Sequence, residues 1–135
     1  MNNIVDFTLS QNRGKYVPVA RYNALGDFVE YIRQDRPHIM RRIDDFLTIA
    51  LDIETRQPAG FRLKGFKNFY LQNFPNRVRL LDDQFVALVA TIEVAATLVG
   101  DVAFATTSET KGAYKSACAI ATEDQVRIQP SALAA

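Results

Sequence analysis

The chain has 135 residues, of which 48% are hydrophobic and 23% are charged, a composition typical of one soluble globular domain rather than of a disordered chain. Sixteen basic residues against fifteen acidic ones give a formal charge of +1, so any nucleic-acid-binding role must rest on local clusters of basic residues. Cys118 is the single cysteine, which excludes a disulfide framework or a multi-cysteine zinc site within one chain and favours the reducing cytoplasm.

The N-terminal 15 residues are polar and weakly patterned, and we predict a loose arm there, with at most a short strand at residues 4–9. This arm has neither the basic start nor the long apolar run of a signal peptide. The most apolar stretch, residues 85–99, contains Glu93 and is too short to span a bilayer. We therefore expect a cytoplasmic protein that does not associate with membranes.

Residues 16–42 divide into a predicted strand, an ambiguous segment and a connection. Residues 16–22 are β-branched and aromatic, and Pro18, which lacks an amide hydrogen, suits an edge strand. Residues 23–33 have apolar positions that fit either a helix or a strand, and although Gly26 weakens the helix, the residues leave both alternatives open. Residues 36–42 are rich in arginine and contain Pro37, which favours a connection.

A β-hairpin is the clearest local pattern in the sequence. Residues 46–53 alternate with period two, residues 54–60 are rich in turn formers, and Phe61 and Leu63 then alternate with Arg62 and Lys64. The side chains predicted to face the core are Leu47, Ile49, Leu51, Phe61 and Leu63.

The second half of the chain has helical periodicity. Residues 66–71 are predicted to extend the sheet, with a turn at residues 73–76. Asp82 or Asp83 then caps a helix with apolar residues at spacings of three and four, which stops at Gly100. A last helix is predicted over residues 113–122, followed by an extended tail.

Strands followed by helices predict an α+β fold, in which an antiparallel β-meander and hairpin sheet is packed by helices from the C-terminal half. We predict one domain over residues 1–135, mainly β over residues 16–80 and mainly helical over residues 81–124, with the tail at residues 125–135.

A loose pattern of polar and apolar residues runs through about a third of the chain. Its residues are Tyr22, Asp27 with the aromatic stretch 28–32, Ile43-Asp44-Asp45, Asp52 and Gly60-Phe61. With this pattern, residues 22–65 resemble a family of small bacterial domains of unknown function. The resemblance implies a β-meander followed by helical material, and some members of that family occur beside toxin-like partners.

The stretch from Gly60 to Leu80 places basic residues among aromatic ones. Arg62 and Lys64 would lie on one face of the strand, with Lys67 just beyond. If Phe66, Phe69 or Tyr70 is exposed beside them, this surface combines the cations and aromatic rings that bind single-stranded RNA or DNA. A solvated outer face, with charges that protect an edge strand, is the more typical reason for such a pattern.

Three polar residues are candidates for the mouth of a pocket between the sheet and the helices: His38, Asp44 and Asp45. The sequence identifies no nucleophile or orienting acid for His38, and the adjacent aspartates would point to opposite faces of a strand. Polar turn residues are the more typical explanation. We predict no catalytic residue, no metal site and no cofactor.

These patterns favour a non-enzymatic protein-interaction or regulatory module, with homodimerisation through the wide apolar stripe of residues 85–99. RNA or single-stranded DNA binding is the first alternative, and a small-molecule pocket between sheet and helices is the second.

Overall fold

The computed structural model describes residues 16–73, 86–100 and 108–128. These residues form an α+β fold, as the sequence predicts. In chain order the elements are β1 (Arg21–Asn23), β2 (Phe28–Ile32), β3 (His38–Arg42), β4 (Leu47–Asp52), β5 (Pro58–Lys64), α1 (Phe66–Asn73), β6 (Val86–Ala87), α2 (Leu88–Gly100), α3 (Ser108–Glu123) and β7 (Arg127–Ile128).

The first five strands form one antiparallel sheet in the order β1-β2-β5-β4-β3. The predicted hairpin is its centre: β4 pairs with β5 so that Leu47 lies opposite Leu63. Residues 28–32 form a strand, which decides the ambiguity of that segment. The predicted edge strand at 16–22 is shorter and later than expected, because only residues 21–23 pair with β2.

The prediction of a connection over residues 36–42 was wrong, because His38 to Arg42 form the edge strand β3. An edge strand pairs with a neighbour on one side only, and charged side chains such as arginine protect its open edge from pairing with another chain. Ile39 is half-buried opposite Leu51 of β4, whereas Arg41 and Arg42 remain exposed. The strand has no alternation of its own, because its two half-buried residues are adjacent and so are its two exposed arginines.

The prediction that residues 66–71 extend the sheet was also wrong, because they form helix α1. Gly65 has a φ of 64°, a left-handed conformation that ends β5 and that glycine adopts readily. Phe66 and Tyr70 then lie one helical turn apart and are both fully buried in the core, with ring centroids 6.0 Å apart.

The two remaining helices agree with the sequence pattern. Helix α2 ends at Gly100, and the last helix starts five residues earlier than predicted, at Ser108. Residues 86 and 87 are not helical, since they pair with residues 127–128 of the predicted tail. The expected strand at 4–9, the turn at 74–76, the cap at Asp82 or Asp83 and the tail after residue 128 lie outside the described residues.

The core lies between one face of the sheet and the three described helices. Four of the five side chains predicted to face it are buried, and Leu51 is half-buried. Fully burying a large apolar side chain stabilises a fold by roughly 1.5–3 kcal/mol. The helices contribute Phe66, Tyr70, Leu88, Ile92, Ala95, Tyr114, Ala117 and Ile120 to this core. No helix within the described ranges is long and apolar enough to span a bilayer.

Candidate functional site

Arg62, the centre of the predicted basic surface, is held by two neighbours on the outer face of the sheet. Glu30 lies directly opposite on β2, and its Oε2 accepts hydrogen bonds from Arg62 Nε at 2.9 Å and Nη2 at 2.6 Å. The guanidinium also lies 4.6 Å from the centroid of the Phe28 ring, within the range of a cation–π contact. The charge of Arg62 is therefore largely balanced inside the protein.

The other predicted members of the basic surface differ in their surroundings. Lys64 is exposed at the end of β5, and Lys67 is half-buried in the first turn of α1. Tyr70 has none of its surface exposed, so in this structure its ring is not accessible for stacking on a base. RNA or single-stranded DNA binding by Arg62, Lys64 and Lys67 stays a prediction, which the salt dependence of affinity would test.

Asp44 has a structural role at the turn between β3 and β4. Its Oδ1 accepts hydrogen bonds from the amides of Phe46, at 2.9 Å, and Leu47, at 2.7 Å. Its Oδ2 accepts one from the Tyr114 hydroxyl at 2.7 Å. Burial, reinforced by this contact with Asp44, raises the pKa of Tyr114. Asp44 thus fixes the turn and joins it to helix α3.

The structure does not bring His38 together with Asp44 and Asp45. His38 starts β3, whereas both aspartates follow its end, about 13 Å further along a strand of this length. Nδ1 of His38 lies 3.1 Å from the carbonyl oxygen of Arg36, and the exposed Asp45 pairs with Arg42. The three residues therefore do not line the mouth of one pocket, and among the described residues no group of three or more acidic, histidine or cysteine side chains is placed to hold a metal ion.

Helix α2 carries a second apolar stripe, which faces away from the core. Leu88, Ile92 and Ala95 are buried in the core. Ala90, Val94 and Leu98 follow one another at intervals of four residues and so share another side of the helix, where the first two are half-buried and Leu98 is 46% exposed. We call these three residues the outer stripe.

A polar cluster that the sequence pattern did not reveal joins β2 to the end of α3. The Tyr31 hydroxyl donates to Asp124 Oδ2 at 2.6 Å, and Arg33 donates to both oxygens of Asp124 at 2.8 Å. Arg33 Nη2 also contacts Glu123 Oε1 at 3.0 Å. The hydrogen bonds from Arg33, and to a smaller extent the one from Tyr31, lower the pKa of Asp124. Burial, followed by the contact with Asp124, raises the pKa of Tyr31.

One sequence signal pointed to this cluster. Glu123 and Asp124 are two consecutive acids at the C-terminal end of a helix whose last turn has no basic residue, and negative charge is unfavourable there because the helix dipole is negative at that end. A pair of acids at this position is therefore expected to contact a cation from elsewhere in the chain. That cation is Arg33, which lies 91 positions before Asp124.

Beside the cluster lies a pocket of about 420 Å³. Its walls come from the segment that leads into β1 and from the segment that joins α3 to β7. The lining residues are Pro18, Val19, Ala20, Tyr22, Tyr31, Asp124, Gln125, Val126, Arg127 and Ile128. Smaller pockets of about 320 and 170 Å³ lie beside Asp52 and between α3 and the β3 edge of the sheet.

No family model, curated protein or solved structure matches this chain. The resemblance of residues 22–65 therefore stays an expectation, and the residues that carry it have structural roles here. Tyr22 donates to Asp27 at 2.8 Å, and Asp44 holds a turn. At Gly60 a Cβ atom would lie 2.2 Å from the carbonyl oxygen of Tyr31. The function is accordingly inferred from the protein's own side chains.

Proposed function

We propose that this protein is a non-enzymatic interaction module that forms a homodimer through the outer stripe of α2. The observation that carries the proposal is the composition of this helix. Glu93 is the one charged residue among the 13 residues of α2, although part of the helix surface is exposed. A helix that is apolar on more than one side is normally covered on each of them. A second copy of the chain would cover the outer stripe.

The spacing of the outer stripe suits a helix–helix contact. Side chains four residues apart form a ridge, and ridges of this kind from two helices interdigitate in the commonest mode of helix packing. Ala90 and Val94 are small enough for the backbones to approach closely, and Leu98 supplies the largest exposed apolar side chain of the helix. Glu93 lies toward α3, where its charge acts on Cys118, so it need not lie inside the contact.

Two further observations support a non-enzymatic role in a reducing compartment. The acidic candidates for chemistry have structural partners: Asp44 holds a turn and receives the Tyr114 hydroxyl, and Asp45 pairs with Arg42. Burial raises the pKa of the half-buried Cys118 thiol, which favours the unreactive protonated form. We propose the cytoplasm as its location, since a lone thiol suits a reducing environment.

The proposal is tested by measuring the mass of the protein by light scattering over a range of micromolar concentrations. We expect a dimer for the natural sequence, and we expect Val94→Glu and Leu98→Glu each to weaken dimerisation at least about tenfold, because a charge would be buried without a partner. Leu71→Glu is the matched control: Leu71 is a 39% exposed leucine on α1, outside the stripe. A monomeric natural protein, or equal effects of Leu71→Glu and Leu98→Glu, would overturn the proposal.

A further inference from the structure

The 420 Å³ pocket combines apolar walls with a polar floor. Val126 and Ile128 are buried at its base, and Pro18, Val19 and Ala20 form the opposite wall. The Tyr22 hydroxyl points to Asp27, so Tyr22 adds mainly ring surface to the pocket. Sites for small organic ligands typically have a volume in this range and contain polar groups that fix the orientation of the ligand.

Two polar residues of the lining, Tyr31 and Asp124, offer hydrogen-bond acceptors, whereas Gln125 and Arg127 also carry donors. Tyr31 uses its hydroxyl hydrogen on Asp124, which leaves its oxygen as an acceptor. A carboxylate has about four acceptor positions, and Tyr31 and Arg33 occupy three of those of Asp124. The remaining position is on Oδ1, which accepts one hydrogen bond, from Arg33 Nη2.

The charges around the floor favour a positively charged donor. Arg33 balances one of the two adjacent acids, so Arg33, Glu123 and Asp124 together retain one negative charge. Arg33 lines a different pocket, beside Asp52, and is absent from the lining of the 420 Å³ pocket. Arg127 is a cation in the lining of the pocket itself, so the choice between a cationic and an anionic ligand is open to a direct experiment.

We infer that this pocket binds a small organic amine, with its ammonium group on Asp124 Oδ1 and Tyr31 Oη and its apolar body between Tyr22 and the wall formed by Val126 and Ile128. An ammonium group donates three hydrogen bonds and accepts none, which matches the acceptor oxygens of Asp124 and Tyr31. Aromatic rings beside a carboxylate also favour organic cations through their negatively polarised faces. This inference does not depend on dimerisation.

The experiment compares benzylamine, benzyl alcohol and benzoate, which share one apolar body and differ in the head group. Each is titrated into the full chain, and binding is followed by amide chemical shifts of Val126 and Ile128. We expect benzylamine to bind at least about tenfold more tightly than benzyl alcohol, because a hydrogen bond to a charged partner is stronger than one between neutral groups. Binding of benzoate as tight as that of benzylamine would overturn the inference and assign ligand choice to Arg127.

Variants of the chain locate the binding. Asp124→Asn should reduce the affinity for benzylamine to that for benzyl alcohol. Val19→Trp should abolish binding of both, because Val19 lines the pocket and is 46% exposed, so the larger ring can enter the cavity without displacing the core. Val17→Trp is the matched control, since Val17 is 70% exposed and is not part of the lining. Binding that survives Val19→Trp, or no binding of any of the three compounds at millimolar concentration, would overturn the inference.

Discussion

Single carboxylates define several turns of this protein, and Asp52 at the end of β4 is the clearest. Its Oδ1 accepts hydrogen bonds from the amides of Glu54, at 2.8 Å, and Thr55, at 3.0 Å. Arg36 Nε donates to Oδ2 at 2.7 Å. The Thr55 amide, followed by the Arg36 guanidinium and the Glu54 amide, lowers the pKa of Asp52 from 3.8 to about 2. The ionised carboxylate is thus the form that the fold stabilises.

This shift predicts how the stability changes with pH. Because the folded-state pKa lies below the ordinary value, the contribution of ionised Asp52 is complete above about pH 4 and is lost as the pH falls toward 2. We expect Asp52→Asn to have a lower free energy of unfolding than the natural protein at neutral pH. The difference should shrink between pH 4 and pH 2, as measured by urea denaturation at a series of pH values.

Asp45→Asn serves as the control for Asp52→Asn. The Asp45 side chain is 99% exposed, and a substitution at such a surface site changes stability by no more than about 0.5 kcal/mol. A stability difference between Asp52→Asn and the natural protein that stays constant from neutral pH to pH 2 would contradict the assigned role of the charge.

At the scale of elements, helix α1 depends on a residue far from it in sequence. The carbonyl oxygen of Asp27 accepts hydrogen bonds from the amides of Gly65, at 2.7 Å, and Phe66, at 3.2 Å. Its Oδ1 accepts one from the Lys67 amide at 2.7 Å. The first amides of a helix have no partner within the helix, so Asp27 caps α1 from the turn before β2.

We expect Asp27→Ala to destabilise the protein by about 1–2 kcal/mol, the usual effect of removing a helix cap. Asp27 also has a φ of 51°, which asparagine tolerates better than alanine. Asp27→Asn, which keeps an acceptor oxygen, should therefore lower the free energy of unfolding much less than Asp27→Ala does. Hydrogen exchange at the Phe69 amide, which donates to the Gly65 carbonyl, should be faster in Asp27→Ala, and unchanged exchange there would contradict the capping role.

Elements whose pattern is local were predictable, and elements fixed by distant partners were not. The alternation of residues 46–53 and the turn formers after them predicted β4 and β5, because each strand shows its buried face within its own residues. By contrast, residues 66–71 were predicted to extend the sheet, and the cap that decides for a helix lies 40 positions away from Lys67. Strand β3 was missed for the same reason, since pairing with β4 determines it.

The same contrast between local patterns and distant partners applies to the candidate sites. The sequence identified Arg62 and Asp44 as notable residues, but the partners that determine their roles, Glu30 and Tyr114, lie 32 and 70 positions away. The wide apolar stripe of residues 85–99 was predicted, because its residues are close in sequence, but of the outer stripe only Val94 was singled out. The pocket beside Asp124 was not predicted, since its two walls come from opposite ends of the described chain.

At the scale of the whole molecule, polar contacts attach α3 to the sheet at three places along its length. Glu109 in the first turn pairs with Arg41 of β3, and Tyr114 in the middle donates to Asp44. Directly after the last turn, Asp124 accepts hydrogen bonds from Tyr31 of β2 and from Arg33, which follows β2. The buried residues Ala117 and Ile120 lie between these attachments. The sheet and α3 therefore share one core and one set of polar contacts.

This arrangement predicts that the sheet and α3 unfold together. The chain has no tryptophan and five tyrosines, so tyrosine fluorescence reports on all five, including Tyr31 and Tyr114 at the sheet–helix contact, while far-ultraviolet circular dichroism reports mainly on the helices. We expect the two signals to give the same midpoint in urea, as in a two-state transition. Arg33→Ala should lower both midpoints equally, with a loss of about 1–3 kcal/mol, because it leaves the mostly buried Asp124 carboxylate without its cation.

Arg42→Ala is the control that separates the loss of the Arg33–Asp124 contact from the loss of any arginine. Arg42 is also an arginine in an ion pair, but its partner Asp45 is a local neighbour on the exposed surface, and such pairs contribute about 0–1 kcal/mol. Its midpoints should stay close to those of the natural protein. If the helical signal were lost at a lower urea concentration than the tyrosine signal, α3 would be a separately unfolding element, and the three polar attachments would not couple it to the sheet.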